Sequence, residues 1–278
     1  MNRFYYTGRD SSAHGGRPAF FSSSTRRVFA HRGGAGLAPE NTLAAFDRGL
    51  DLGADGLELD VHLSRDGIVV VHHDRTLDRT TNERGPVAGR TADELRRVDA
   101  GYWFARDGTF PYRGCGLGVP TLADVIARYR DVLIAVEMKV NSAALAEAVV
   151  RVVRETDAVD RVAVGSFGLR SLRALRQMEP AIATSASREE VRWALYRLRC
   201  RWPVSRVPYA AYQVPERSGG QRVVSPRFVA AAHRLDLAVH VWTVDDEHDA
   251  RRLLGWGVDG LITDRPDLIV PVARNSEL

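Results

Sequence analysis

The chain has 278 residues, 45% of them hydrophobic, with 39 basic against 35 acidic side chains and a formal net charge of +4. That length suits one large domain or two small ones, and no apolar run approaches the ~20 residues of a membrane span. Cys115 and Cys200 are too few for a disulfide framework or a zinc set, and the basic residues are scattered among acids, which argues against nucleic acid.

Residues 1–26, rich in Ser, Gly and Arg, read as a flexible N-terminal extension. They lack the apolar core of a secretory signal, which assigns the chain to the cytoplasm. Beyond them, short β-branched runs alternate with amphipathic stretches. The predicted strands are 28–31, 55–62, 132–138, 161–165, 181–185, 209–214, 237–243 and 260–263. Helices are predicted at 41–52, 121–129, 142–155, 168–178, 188–199, 225–234 and 246–256. Thr121 with Asp124 three residues on, and Ser142 before an Ala/Val/Leu run, are helix-start signals. The alternation fits a (β/α)8 TIM barrel over residues 27–270 with a tail at 271–278; a doubly wound sheet is the alternative.

One interval breaks the rhythm. The strand at 55–62 is followed almost at once by Ile68-Val69-Val70-Val71-His72-His73, too soon for a parallel crossover. The second run must fold back as a hairpin around Arg65-Asp66-Gly67. Residues 64–119 then form an insertion at the C-terminal end of strand two, the catalytic face of a barrel, where it is expected to cap the site.

Three clusters carry chemistry. In Leu57-Glu58-Leu59-Asp60-Val61, period two puts Glu58 and Asp60 on one face, inside the barrel near its mouth. Two such carboxylates repel unless a cation sits between them, and oxygen-only ligands favour Mg²⁺ or Ca²⁺. On the next barrel strand Glu137 adds a third carboxylate and Lys139 an ammonium at the rim. At the end of strand one, His31-Arg32-Gly33-Gly34 offers an acid/base group, a forked phosphate ligand and backbone that allows close approach. A hairpin turn centred on Arg65 and Asp66 pairs Val71 with Asp60 and His73 with Glu58, which aims His73 rather than His72 at the carboxylates; a one-residue slip would swap them. Two histidines, three carboxylates, an Arg and a Lys at one mouth suit a metal-bridged phosphodiester, with one His taking a proton and the other giving one.

The ordered motifs resemble the glycerophosphodiester phosphodiesterase family across residues 28–270. They include His31-Arg32-Gly33, Pro39-Glu40-Asn41-Thr42, Glu58-Leu59-Asp60-Val61, His73-Asp74, Arg79-Thr80-Thr81, Glu137-Met138-Lys139, Trp242-Thr243-Val244 and Thr263-Asp264-Arg265-Pro266. The resemblance implies a TIM barrel with an insertion after strand two, and hydrolysis of glycerophosphodiesters to glycerol 3-phosphate and an alcohol. It further implies Glu58, Asp60 and Glu137 as ligands of one divalent cation, Mg²⁺ or Ca²⁺, His31 and His73 as the acid/base pair, and Arg32 and Lys139 as phosphate ligands. By the same resemblance Glu40 orients Arg32 or the metal shell, and Trp242 lines the pocket for the glycerol or lipid portion. A lysophospholipase D-like enzyme is the alternative, to be told apart by an apolar channel around Tyr102-Trp103-Phe104 and Phe110-Pro111-Tyr112; a catalytically silent phosphate-binding module is a third reading.

Two features depart from the pattern. Asp245 stands where the family's usual Asn follows Trp-Thr-Val, which bears on the loop beside the pocket. The stretch 198–223 matches no family motif; it reads as a solvated loop whose basic and aromatic composition would also suit weak contact with an acidic membrane surface. Lys139 is the single lysine beside 38 arginines, so its position asks for a compact ammonium.

Overall fold

A computed structural model of the chain describes residues 17–22, 26–203 and 206–275. The first strands and helices are β1 (Arg27–His31), α1 (Leu43–Asp51), β2 (Gly56–Leu63), a short β3 (Val69–Val71), α2 (Ala92–Arg96) and α3 (Leu122–Arg128). Next come β4 (Leu133–Met138), α4 (Ala143–Glu155), β5 (Val162–Gly165), α5 (Leu169–Met178), β6 (Ala183–Thr184) and α6 (Arg188–Cys200). The chain continues with β7 (Ala211–Pro215), the hairpin β8 (Arg217–Ser218) and β9 (Gln221–Arg222), and α7 (Pro226–His233). It finishes with β10 (Ala238–Trp242), α8 (Glu247–Gly255), β11 (Gly260–Thr263) and α9 (Pro266–Asn275).

The parallel strands run in the order β6-β5-β4-β2-β1-β11-β10-β7. A bridge between Ser185 and Ala211 joins the two edges, where Ala210 N donates to Thr184 O and Ala186 N to Ala211 O. The result is a nearly closed α/β barrel of TIM type, as the strand–helix alternation predicts. Of the helix-start signals, Thr121 heads a reciprocal cap with Asp124, whereas Ser142 stands at the N-cap of α4 without a side-chain cap; Ser187 and Glu190 form a further reciprocal cap on α6. Apolar faces of the helices pack on the outward-facing strand residues, for example Leu57, Leu59 and Val61 of β2 against Phe46 and Val149.

The inward-facing residues form two levels. At the N-terminal end Phe29, Ala135, Ala163, Ala183, Ala211, Ala238 and Ile262 line the barrel. Five alanines leave room, which Phe20 and Phe21 fill: Phe20 stacks on Phe29 at 5.7 Å and Phe21 meets the ring of His240 at 5.3 Å. Arg27 holds the plug by donating to Phe20 O, and Arg17 bonds Asp259 at 2.6 Å. Of the extension expected at 1–26, residues 1–16 and 23–25 lie outside the described residues, while 17–22 belong to the packed floor. At the other terminus α9 runs through Pro271 to Asn275, so the barrel does not end at 270. Val272 and Ala273 are buried, and this burial outweighs the breaking signal of the internal proline.

The hairpin register is one residue from the expected one. Val61 pairs with Val71, His62 with Val70 and Leu63 with Val69, because the turn centres on Asp66, with Ser64 N donating to Ile68 O and Gly67 at φ +77°. Strict alternation from this register would send His72 to the site. Instead the ladder stops at Val71 and the chain turns away, so His72 Nε2 donates to Thr76 O while His73 reaches the cleft from a loop. The remainder of the insertion packs around its own small core of Val70, Leu77, Val87, Leu95 and Val119.

Candidate active site

Strand alternation builds the site directly above the floor. Two residues beyond Phe29, Ala135, Ala211 and His240 on the same faces stand His31, Glu137, Gln213 and Trp242. With Arg32, Glu58, Asp60, His73, Lys139 and Ser166 they line a cleft of about 130 Å³ at the C-terminal mouth. Eight of the nine predicted site residues thus meet in one cavity; Glu40 stands behind Arg32.

Each histidine is held by an aspartate. His31 Nδ1 lies 2.7 Å from Asp264 Oδ1 and His73 Nδ1 lies 2.6 Å from Asp74 Oδ1. That leaves Nε2 of each ring for the cleft, with His31 Nε2 at 3.8 Å from Glu58 Oε2. Burial opposes the charged form of His31, but Glu58 and Asp264 outweigh it and raise its pKa. For His73 burial prevails over Asp60 and Asp74, and the pKa falls.

The carboxylates divide into served and unserved. Asp60 takes Arg32 Nε at 3.2 Å, Lys139 Nζ at 3.3 Å and the Asn41 amide at 3.0 Å. Glu137 has no ion-pair partner within 4.0 Å among the described residues; its Oε1 accepts from Phe167 N at 3.1 Å. Burial, reinforced by Asp60, pushes Glu58 up to about 7. Burial likewise pushes Glu137 up to about 8, with Lys139 pulling the other way. Oxygen donors in a largely enclosed, under-neutralised trio fit a hard divalent cation. Gly165 makes this possible, since a Cβ there would stand 2.5 Å from Glu137 Oε2.

A charged relay ties rim to insertion. Arg79 grips Glu40 with both terminal nitrogens at 2.7 Å and Asp74 through Nε at 2.6 Å, and Glu40 accepts from Arg32 Nη1 at 3.0 Å. Burial works against the Glu40 anion, yet Arg79 and Arg32 lower its pKa to about 2. Trp242 meets Phe167 ring to ring at 6.0 Å on the cleft wall. The aromatics of 102–112 do not line the cleft: they pack on one another, with Arg113 sandwiched between Tyr102 and Phe110.

Asn41, Asp74, Arg79, Asp264 and Gln213 join the site beyond the nine predicted residues. Asn41 sits at a left-handed φ of +58°, which Asn tolerates, and from there its amide reaches Asp60. Asp245, the departure from the family pattern, accepts from Thr263 Oγ1 at 2.9 Å and from Asp264 N at 2.7 Å, and so steadies the aspartate behind His31. Outside the cleft, Asp246, His248 and Asp249 bring possible ligand atoms within 4.8 Å of one another. They are surface groups at the start of α8, where Asp246 caps the helix and Asp249 pairs with Arg252.

Comparison with known proteins gives a consistent picture. Residues 31–268 match the glycerophosphoryl diester phosphodiesterase family. A glycerophosphodiester phosphodiesterase from Caldanaerobacter subterraneus is 34% identical over 253 residues, covering 89% of this chain and 97% of the relative. The crystal structure of a glycerophosphodiester phosphodiesterase from Agrobacterium tumefaciens superposes with a TM-score of 0.73 at 30% identity, covering 90% of this chain and all of that one. An Oleispira antarctica phosphodiesterase, solved with the product sn-glycerol-3-phosphate, does so with a TM-score of 0.73 at 27% identity, covering 90% and 98%.

Proposed function

Because the chain belongs to the glycerophosphoryl diester phosphodiesterase family, we propose that it hydrolyses small glycerophosphodiesters to glycerol 3-phosphate and an alcohol at the cleft between His31 and His73. The observation that carries the reading is the convergence of two aspartate-backed histidines with three carboxylates, an arginine and a lysine in one cavity. Glu58, Asp60 and Glu137 would hold a divalent cation, Mg²⁺ or Ca²⁺, which when bound supplies positive charge to the non-bridging oxygens. Arg32 and Lys139, both already drawn inward by Asp60, bind the phosphate, the first through its fork and the second at one oxygen.

The aspartates fix the tautomer of both rings so that protons enter and leave at Nε2. One histidine takes the proton of the attacking nucleophile, the other returns one to the leaving oxygen, and one water is consumed overall. Glu40 and Arg79 act one step back, keeping Arg32 and Asp74 oriented. The modest cleft, without the 102–112 aromatics in its wall, supports a small alcohol over a long acyl chain and favours the diesterase over a lysophospholipase D-like activity. The test is glycerol 3-phosphate release from glycerophosphocholine by wild type, His31→Ala and Glu58→Ala with Mg²⁺ or Ca²⁺ present. Release by wild type alone is expected; equal release by all three would overturn the assignment.

A further inference from the structure

Two outer helices of thirteen residues behave in opposite ways. In α4, Leu145, Ala146, Ala148, Val149, Val150 and Val153 are buried. In α6 no residue is buried, although its sequence is no less rich in large side chains. Trp193 is 61% exposed and Tyr196 52%, their rings in edge contact at 5.8 Å, and Trp202 just beyond the helix is 63% exposed. Behind the helix, between α6 and α7, lies a cavity of about 720 Å³ with Leu198, Tyr212, Phe228 and Leu235 in its wall.

Charge on this face is equally unmatched. Some arginines elsewhere meet acids, as in Arg65–Glu94 at 3.2 Å, Arg128–Asp47 at 2.8 Å and Arg154–Glu179 at 2.6 Å, and others among the described residues stand singly; here Arg197, Arg201, Arg206 and Arg234 gather around one cavity. Arg192, Arg197, Arg199, Arg201, Arg206 and Arg234 have no carboxylate within 4.0 Å among the described residues. The face also starts at the cleft: Arg188, first residue of α6, lies 4.9 Å over the ring of Phe167, which faces Trp242.

Exposed Trp and Tyr interleaved with unpaired Arg are the side chains that settle at a headgroup layer, rings among the glycerol groups and guanidinium groups on lipid phosphates. A second copy of the chain would bring the same uncompensated positive charge against itself in a two-fold contact. We propose that the α6 face, with Trp193, Tyr196, Trp202 and the surrounding arginines, docks the protein on an anionic lipid bilayer. The binding is peripheral, since among the described residues no helix is long and apolar enough to cross a membrane.

The test is co-sedimentation of the full chain with vesicles of phosphatidylcholine alone and of equimolar phosphatidylcholine and phosphatidylglycerol, at low and high salt. Wild type should sediment with the anionic vesicles only, and less so in high salt. Arg197→Gln with Arg201→Gln should lower the partition constant about 25-fold, from about fivefold for each arginine. Trp193→Ala with Trp202→Ala should also weaken it, and thermal melts of all variants should stay near wild type because Trp193, Arg201 and Trp202 are exposed and Arg197 is only half-buried, with no carboxylate partner among the described residues. Equal binding to neutral vesicles, or undiminished binding by both variants, would overturn the proposal. So would a wild-type dimer converted to monomer by Trp193→Ala, or retention on single-stranded DNA without vesicle binding.

Discussion

Two residues apart on the same strands, the barrel interior changes character. Its floor is Phe29, five alanines and the Phe20–Phe21 plug, packed without a charge; its rim carries Glu58, Asp60, Glu137, His31 and Lys139. Each level contains a histidine, partly exposed at the rim and buried on the floor, and they titrate in opposite senses: carboxylates lift His31 above the ordinary value, whereas burial drives His240 on the floor down to about 4. Alternation alone decides which side chains point inward. Height along the strand then decides whether an inward residue packs or reacts, and the apolar floor stabilises a barrel whose rim holds carboxylates that burial penalises.

If this division is right, rim and floor respond differently to substitution. The largest effect belongs to the acid/base pair: His31→Ala and His73→Ala should each lower kcat by about 10²–10⁴-fold while the melting temperature stays near wild type. Steady-state kinetics beside a thermal melt checks both halves of that statement. On the floor, Phe21→Ala should cost about 3–5 kcal/mol in denaturant unfolding, with kcat per folded molecule retained. Floor truncation that abolished turnover in folded protein would break the comparison. A smaller loss is expected for Lys139→Arg, about 10²-fold in kcat/KM without a change in stability, because a planar fork cannot take the place of the ammonium 3.3 Å from Asp60.

The smallest effect is the pH dependence of stability in metal-free protein. With folded-state values of about 7 and 8 against an ordinary 4.5, Glu58 and Glu137 bind more protons folded than unfolded. Stability therefore falls as pH rises toward 8, and raised His31 acts in the same direction. His240 binds fewer protons folded than unfolded, so its contribution is lost as pH falls from 6.5 through about 4. In melting curves His240→Phe should shrink the acid limb, to which Glu40 and His73 also contribute, and Glu137→Gln should flatten the alkaline one.

Much of this was legible in sequence because period two and strand–helix alternation are strong signals. Leu57-Glu58-Leu59-Asp60 and Ala135-Val136-Glu137 announce their inward carboxylates directly. The register of the hairpin was not legible, since Ser64-Arg65-Asp66-Gly67 admits turns of different length, and only the end of the ladder at Val71 frees His73. The aspartates behind the histidines escaped for different reasons. Asp74 adjoins its ring in sequence, but Asp264 reaches His31 only because β11 pairs with β1 when the barrel closes. Phe20 and Phe21 looked like part of a polar extension because their partners, five alanines on five strands, are dispersed along the chain.

The most direct measurement of the central claim is glycerol 3-phosphate release from glycerophosphocholine by wild-type protein before chelation, after removal of divalent cations, and after their return. Release that stops on chelation and resumes with Mg²⁺ or Ca²⁺ is predicted. Release that continues unchanged without divalent cations would contradict the role given to Glu58, Asp60 and Glu137, and no release under any of the three conditions would contradict the hydrolase itself.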